Sequence, residues 1–162
     1  MAYSIGEFVV CPGHGVGQIC DLEEKNVGGQ IRTVFVIRIL STPQIKIYIF
    51  QEEQNKGMRK LASIDEISKV FDLLNTHDVK VDTSTYNRRQ RTYLEKINSG
   101  SLLEIADVLR SLFLLKQKFN KDLSFNERRL VEQCKGLLIK EIALSQGADE
   151  EQISSRIEAC FQ

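Results

Sequence analysis

The N-terminal fold is decided by the run RTVFVIRIL at residues 32–40 and by IKIYIF at residues 45–50. Both runs are rich in β-branched and aromatic residues, which favour β-strands. Turn signals bound them, with Gly28 and Gly29 before the first run and Pro43 between the two. The second run alternates, which predicts one face with Ile45, Ile47 and Ile49 and an opposite face with Lys46, Tyr48 and Phe50.

Three shorter runs extend this pattern at residues 7–11, 16–22 and 57–61. In the middle one, Val16, Cys20 and Leu22 are predicted to share a face, although Ile19 interrupts the alternation. Five short strands joined by tight turns predict a small twisted β-barrel of SH3 or Tudor type. Such a barrel is generally a binding module, because exposed strand edges recruit partners by strand addition.

The remainder of the chain is predicted to be helical. Three Ser-x-x-Glu capping boxes, at Ser63, Ser101 and Ser124, mark helix starts. The first helix should end near Asn75, and Gly147 should end the third, before a last helix at residues 150–161. The predicted fold class is therefore α+β, a small N-terminal β-barrel followed by an all-helical domain. The boundaries are 1–62 for the barrel, 63–82 for a linking helix and hinge, and 83–162 for the helical domain.

A distinctive helix is predicted within residues 83–96, TSTYNRRQRTYLEK. Thr83, Ser84 or Thr85 could cap its first free N–H groups. The positive end of a helix favours acidic residues, yet the acidic side chain of this helix comes only at Glu95. The first two turns instead hold an aromatic residue and a cluster of basic ones, which together predict a site for an anion such as phosphate. The alternative is an ordinary solvated surface. These residues are Tyr86, Arg88, Arg89 and Arg91.

Composition limits the function further. The chain has 162 residues, of which 42% are hydrophobic and 27% charged, and no apolar run reaches the ~20 residues that a membrane span needs. The N-terminus lacks the pattern of a signal peptide, so we expect a cytoplasmic location without membrane contact. The formal net charge is zero. Any contact with nucleic acid therefore depends on a local patch, and DNA binding by the free protein should be weak.

The four cysteines suggest one rival hypothesis, a metal or thiol enzyme using Cys11, His14 and Cys20. Zinc normally needs a fourth ligand, and paired Cys-x-x-Cys spacing is absent. Reduced cysteines in a cytosolic protein are more often small buried residues. The sequence therefore predicts no catalytic residue, no metal site and no cofactor.

Several motifs, taken in order, resemble one known family. They are IGEFVVCPGHGVG at residues 5–17, YNRR at 86–89, LEK at 94–96, EIADVLR at 104–110 and LSFNER at 123–128. With them the chain resembles the CarD/CdnL family of bacterial transcription regulators that bind RNA polymerase. The resemblance runs over nearly the whole chain.

The resemblance implies a non-enzymatic regulator. Its Tudor-like domain would dock on the β subunit of RNA polymerase, and its helical domain would contact promoter DNA near the upstream edge of the −10 element. Binding would stabilise the open promoter complex. Contact with DNA by the free protein would be weak and largely non-specific, and the protein would be a monomer associated with the nucleoid through polymerase.

The resemblance also assigns DNA-contacting residues. Tyr86 matches a position at which the family usually carries a tryptophan that acts as a wedge at the opened edge of the duplex. Tyrosine has a smaller ring system, so its stacking area is less. An alternative for Tyr86 is packing on Tyr93. The matching basic positions are Arg88, Arg89, Arg91 and Arg128, of which Arg128 could equally be an ordinary surface charge.

On the polymerase side, the matching positions are Lys25, Ile37, Tyr48 and Phe50. Tyr48 and Phe50 would instead lie in the barrel core if the strand register shifted by one residue. A rival function is a protein–protein adaptor without a DNA role, as the similar polymerase-binding module of transcription–repair coupling factor illustrates. The arginine cluster argues for the regulator, because an adaptor has no need of it.

Overall fold

The computed structural model describes residues 3–162, and the chain forms two compact units, Met1–Leu61 and Ala62–Gln162. The first unit is an antiparallel sheet. Its strands are β1 (Phe8–Cys11), β2 (Gly15–Val27), β3 (Gln30–Ile39), β4 (Lys46–Phe50) and β5 (Arg59–Lys60), and they lie in the order β4-β3-β2-β1-β5. A short 3-10 turn at Gln51–Glu53 and a single-turn helix α1 at Gln54–Gly57 connect the last two strands.

The five predicted strands are all present, but within residues 3–162 no hydrogen-bonded ladder joins β4 to β5. The sheet is therefore not closed. Its longest pair, β2 and β3, turns at Gly28 and Gly29, whose φ angles of 59° and 85° suit glycine. The edge strand β4 pairs only on its β3 side among the described residues.

One predicted face in β2 is wrong. The ladder between β2 and β3 shifts between Ile19 and Asp21, so an extra residue bulges out of the sheet at Cys20. As a result Ile19 is fully buried, whereas Cys20 and Leu22 are exposed and do not share the buried side of Val16. The bulge moves the side chains that follow it to the opposite faces of the sheet. It lies next to Ile19, the residue that interrupts the alternation in the sequence.

The alternation predicted for β4 is confirmed at its centre. Ile49 is buried, and Tyr48 is 51% exposed on the opposite face. Ile49 joins the core of this unit, in which Val9, Cys11, Ile19, Phe35, Ile37, Ile39 and Met58 also lie.

The second unit contains five helices: α2 (Ile64–Asn75), α3 (Tyr86–Asn98), α4 (Leu102–Phe119), α5 (Phe125–Gln146) and α6 (Glu150–Ala159). The capping boxes at Ser63 and Ser124 are complete, and Ser101 accepts a hydrogen bond from the backbone of Glu104. Gly147 ends α5 in the left-handed conformation, as predicted. None of the helices in the described region combines the length and apolarity needed to cross a bilayer.

Helix α2, which the sequence places in a linking segment at 63–82, packs into the helical unit. Its residues Ile67, Val70 and Leu74 belong to the same buried cluster as side chains of α4, α5 and α6. Residues 76–85 carry no helix or strand. The irregular part of the linking segment is therefore confined to its second half.

The start of the helical unit is held at Ala62. The carboxylate of Glu141 accepts a hydrogen bond of 2.8 Å from the backbone N–H of Ala62, and the hydroxyl of Ser145 donates one of 2.6 Å to its carbonyl oxygen. Glu141 is buried, and both partners lie on α5. Two side chains of one helix thus satisfy both backbone groups of this residue.

Candidate nucleic-acid interface and docking surface

The first turn of α3 has no side-chain cap. Thr85 occupies the N-cap position, but its side chain makes no capping hydrogen bond, and the first turn contains no acidic residue. Just before it, the carboxylate of Asp82 accepts a hydrogen bond of 2.8 Å from the backbone of Ser84. Hydrogen bonds from Ser84, together with the nearby arginines Arg88 and Arg89, lower the pKa of Asp82. The start of α3 therefore carries the partial positive charge of an uncapped helix end, and the carboxylate of Asp82 lies close to it.

Tyr86 connects this end to the start of α5. Its hydroxyl lies 3.0 Å from the hydroxyl of Ser124, which is the N-cap of α5 and accepts a hydrogen bond from the backbone of Glu127. The tyrosine side chain is 38% exposed. Tyr93, the alternative packing partner, is buried, and burial raises its pKa. Tyr86 thus has one end fixed to a neighbouring helix while part of its ring faces solvent.

Arg89 lies behind this ring and is mostly buried. One guanidinium nitrogen donates a hydrogen bond of 2.7 Å to the carbonyl of Ser84, and another lies 3.7 Å from a carboxylate oxygen of Glu127. The guanidinium carbon is 5.8 Å from the centre of the Tyr86 ring. Because Glu127 is itself buried, the arginine compensates its charge.

The predicted basic cluster therefore divides into inward and outward members. Arg89 faces the interior, whereas Arg88, Arg91 and Arg128 are exposed. Arg88 and Arg91 are three residues apart and share a face of α3. Arg128 follows Ser124 by one turn on α5, and its guanidinium donates a hydrogen bond of 3.3 Å to the carbonyl of Leu123. The structure thus brings Tyr86 and Arg128 to the same meeting point of two helix starts.

A half-open cavity of about 530 Å³ lies beside Tyr86. Within it, Glu127 and Arg89 each have one buried polar atom without a hydrogen-bond partner, Oε2 and Nε respectively. Leu123 and Phe119 add apolar surface. Tyr86 and Arg89 both line this cavity, so the tyrosine ring is not tightly packed on all sides.

On the sheet, three of the four predicted docking residues share one face. The ammonium of Lys25 lies 4.7 Å from the centre of the Tyr48 ring. The ladder pairs Tyr48 with Val36 and Phe50 with Val34, which excludes the one-residue register shift that would bury both rings in the core. Lys25, Tyr48 and Phe50 form what we call the sheet face.

Ile37 does not belong to the sheet face. It is fully buried and packs in the core of the unit, on the side opposite Tyr48. A side chain in this position supports the sheet from behind.

Arg32 is a residue of the sheet face that the sequence reasoning missed. Its guanidinium carbon lies 3.8 Å from the centre of the Phe50 ring, and it forms an ion pair of 3.3 Å with Glu52. Arg32 is spaced by two residues from Val34 and by four from Val36, so the sequence of β3 places all three on one face. This spacing could have identified Arg32. Ser124 and Glu127 were recognised only as a capping box, since nothing in the sequence links them to Tyr86, 38 residues earlier.

The rival metal or thiol site is not assembled. Burial raises the pKa of Cys11 to about 11, so its thiol is not ionised near neutral pH. Cys20 and His14 are exposed. Across residues 3–162, no group of three or more potential ligands could hold a metal ion.

Comparison with known proteins agrees with this architecture. Residues 3–62 match the family described as the CarD-like/TRCF RID domain, and residues 69–158 match the CarD C-terminal domain. The chain is 25% identical over 153 residues to "Putative transcription factor YdeB" of Bacillus subtilis strain 168, and the match covers 94% of this chain and 98% of that protein.

These matches confirm the predicted fold class, a Tudor-like sheet domain followed by a helical domain. The family is one of transcription factors and not an enzyme class, and its N-terminal domain is associated with RNA polymerase interaction. Because the C-terminal match alone covers more than half of the sequence and the two matches follow each other in the expected order, the chain belongs to the CarD family.

Proposed function

We propose that the protein docks on the β subunit of RNA polymerase with its first unit and contacts promoter DNA with its second. The DNA contact lies near the upstream edge of the −10 element and stabilises the open complex. The protein acts as a monomer in the cytoplasm and reaches the nucleoid through polymerase. Its affinity for DNA alone is low, because the formal net charge is zero and only a local patch is basic.

The observation that carries the DNA contact is the half-exposed ring of Tyr86 at the junction of two helix starts. Both helix starts carry partial positive charge, and the exposed Arg88, Arg91 and Arg128 add full charges near them. Arginine side chains at such a position bind backbone phosphates, which fix the orientation of the duplex. The ring then presses against a base step that polymerase has begun to open, where unstacking costs least.

Arg89 has a different part in this proposal. Its guanidinium is occupied by Ser84 and Glu127, so it positions the start of α3 and the Tyr86 ring. Its charge is compensated by Glu127, so the phosphate contacts are left to Arg88, Arg91 and Arg128.

The sheet face is the proposed polymerase-docking surface. Tyr48 and Phe50 offer flat apolar area, and each ring is already covered on one side by the cation of Lys25 or Arg32. Aromatic residues with arginine are typical of interface cores. The adjacent edge of β4 offers backbone groups for strand addition.

Two single substitutions in the full chain test the two contacts separately. Tyr86→Ala should leave binding to RNA polymerase intact and shorten the lifetime of open complexes, measured by competitor challenge. Tyr48→Asp should abolish polymerase binding, because it places a charge in an interface core, and should leave the melting temperature unchanged. An unchanged open-complex lifetime for Tyr86→Ala with docking intact would favour the adaptor function instead.

A further inference from the structure

The exposure of Phe125 is unexplained by packing. This side chain is 67% exposed although it is the first residue of a 22-residue helix. A single exposed apolar side chain is common on protein surfaces, so the charges beside this ring decide what it can contact. Its ring lies 5.9 Å from the guanidinium carbon of Arg129, which places a cation beside it.

Phe125 is next to the anchor of Tyr86. It follows Ser124 directly in the chain, so the Cα atoms of these residues are about 3.8 Å apart. The hydroxyl of Ser124 lies 3.0 Å from that of Tyr86. One residue therefore connects the two aromatic side chains, and both are presented at the start of α5.

The charges around Phe125 favour an anionic partner. The exposed charged residues of the stretch 121–129 are three basic and one acidic: Lys121, Arg128, Arg129 and Asp122. The second acid of this stretch, Glu127, is buried against Arg89 and does not reach the surface. An exposed apolar ring with one arginine beside it, in a stretch whose exposed charges are mostly basic, suits nucleic acid, whose bases and sugars are flat or apolar and whose backbone is anionic.

We propose that Phe125 is a second aromatic contact to promoter DNA, stacking on an exposed base of the opened upstream edge beside Tyr86. This inference rests on the proposed function, since it requires the same DNA at the same end of the helical unit. Phenylalanine has no polar ring atom, so this contact adds stacking area without reading base identity. The added area would offset the smaller ring of Tyr86 relative to a tryptophan.

The chain supplies a matched control in Ile64. This residue is also the first of a helix after a complete capping box, and it is 76% exposed. Its neighbours Asp65 and Glu66 are acidic, so its surroundings would repel DNA. Removing Ile64 thus removes an exposed apolar side chain from an equivalent helix position without touching the proposed interface.

The test measures open-complex lifetime with the full-length protein and RNA polymerase. Phe125→Ala should shorten the lifetime about fivefold, equivalent to about 1 kcal/mol, the lower end for base–aromatic stacking. Ile64→Ala should have no effect, and both variants should keep the melting temperature and polymerase binding. Phe125→Tyr should retain the lifetime, whereas Phe125→Leu, which is apolar but not flat, should not.

The outcomes separate this inference from the proposed function. A normal lifetime for Phe125→Ala, while Tyr86→Ala shortens it, would overturn the role of Phe125 and leave the DNA contact standing. Full lifetime with Phe125→Leu would likewise overturn stacking. Normal lifetimes for both alanine variants with polymerase bound would contradict the proposed function itself.

Discussion

At the scale of single residues, adjacent arginines have opposite roles. Arg88 is exposed, whereas Arg89 is mostly buried between the Ser84 carbonyl and the Glu127 carboxylate. Glu127 is held at the first turn of α5 by its capping interaction with Ser124. The arginine pair of the sequence motif is thus one solvent-exposed side chain beside one structural side chain.

The adjacent arginines give a paired prediction. Arg89→Met should lower the free energy of unfolding by about 1–3 kcal/mol or more, because it leaves the buried carboxylate of Glu127 without its cation. Arg88→Met should change it by less than about 0.5 kcal/mol, as is usual for surface positions. Urea denaturation of the two variants measures the difference. In salt titrations of the polymerase–promoter complex, Arg88→Met should lower the slope by about one unit. Equal destabilisation by both substitutions would contradict the division of roles.

At the scale of helices, the cap of α5 also anchors the proposed DNA contact. Ser124 accepts from the backbone of Glu127 and contacts the hydroxyl of Tyr86 with the same oxygen. Ser63 forms an equivalent complete capping box on α2, and within residues 3–162 its hydroxyl contacts Glu66 and no aromatic side chain. Comparing Ser63 with Ser124 therefore separates the contribution of an N-cap to stability from the contribution of the contact with Tyr86.

Replacing each cap serine by alanine tests this difference. Ser63→Ala should cost about 1 kcal/mol of stability, the usual loss for an N-cap, and leave open-complex lifetime unchanged. Ser124→Ala should cost at least as much and should also shorten that lifetime, because the Tyr86 hydroxyl loses its partner. Thermal melts and competitor challenge give the two readouts. If both variants had the same lifetime, the contact between Tyr86 and Ser124 would have no functional value.

A charge network joins three helices elsewhere in the unit. Asp107 on α4 forms ion pairs with Lys96 on α3 and, at 2.7 Å, with Arg110. Arg110 also donates hydrogen bonds to the carbonyls of Leu73 and Thr76 at the end of α2. Burial alone would raise the pKa of Asp107, but its hydrogen bonds and the charges of Lys96 and Arg110 outweigh burial and lower it.

The lowered pKa of Asp107 predicts a specific acid sensitivity. Because the folded pKa lies below the unfolded value of about 3.9, ionised Asp107 stabilises the fold fully above that value. This contribution is lost as the pH falls through the folded pKa. Asp107→Asn should therefore be less stable than the wild type at pH 7, and the gap should narrow as the pH drops below about 4. Urea denaturation across this range measures it. A stability difference between the variant and the wild type that does not change with pH would contradict the lowered pKa of Asp107.

The elements could be predicted from sequence because their signals are local. The capping boxes at Ser63 and Ser124, the turn glycines and the alternation at the centre of β4 each involve residues close in the chain, and these appear in the structure. The bulge at Cys20 could not be predicted, since it depends on pairing with β3. Nor could the burial of Ile37 or the inward turn of Arg89, which depend on partners far along the chain.

At the scale of the whole molecule, the two compact units of the chain divide before Ala62 and not at the irregular segment 76–85. Helix α2 supplies Ile67, Val70 and Leu74 to the core that it shares with α4 and α5. Large apolar side chains in such a core are worth about 2–5 kcal/mol each when truncated to alanine. A fragment without α2 would expose the apolar surface that these residues cover.

Two fragments test this division. Residues 62–162 should fold cooperatively, with helical circular dichroism and a single thermal transition. Residues 83–162 should melt at a much lower temperature or lack a cooperative transition, because the surface covered by α2 is exposed to water. A fully stable fragment 83–162 would show that α2 is dispensable for the helical fold.

The attachment of Ala62 to Glu141 and Ser145 has a mechanical consequence. In the proposed function, polymerase holds one unit and DNA the other, so tension would act along the backbone and enter the helical unit at this residue. Two short hydrogen bonds pass that tension to α5, a long central helix, before it reaches the first turn of α2. Because α5 packs in the core of the helical unit, these two hydrogen bonds would protect the first turn of α2 from unwinding under tension.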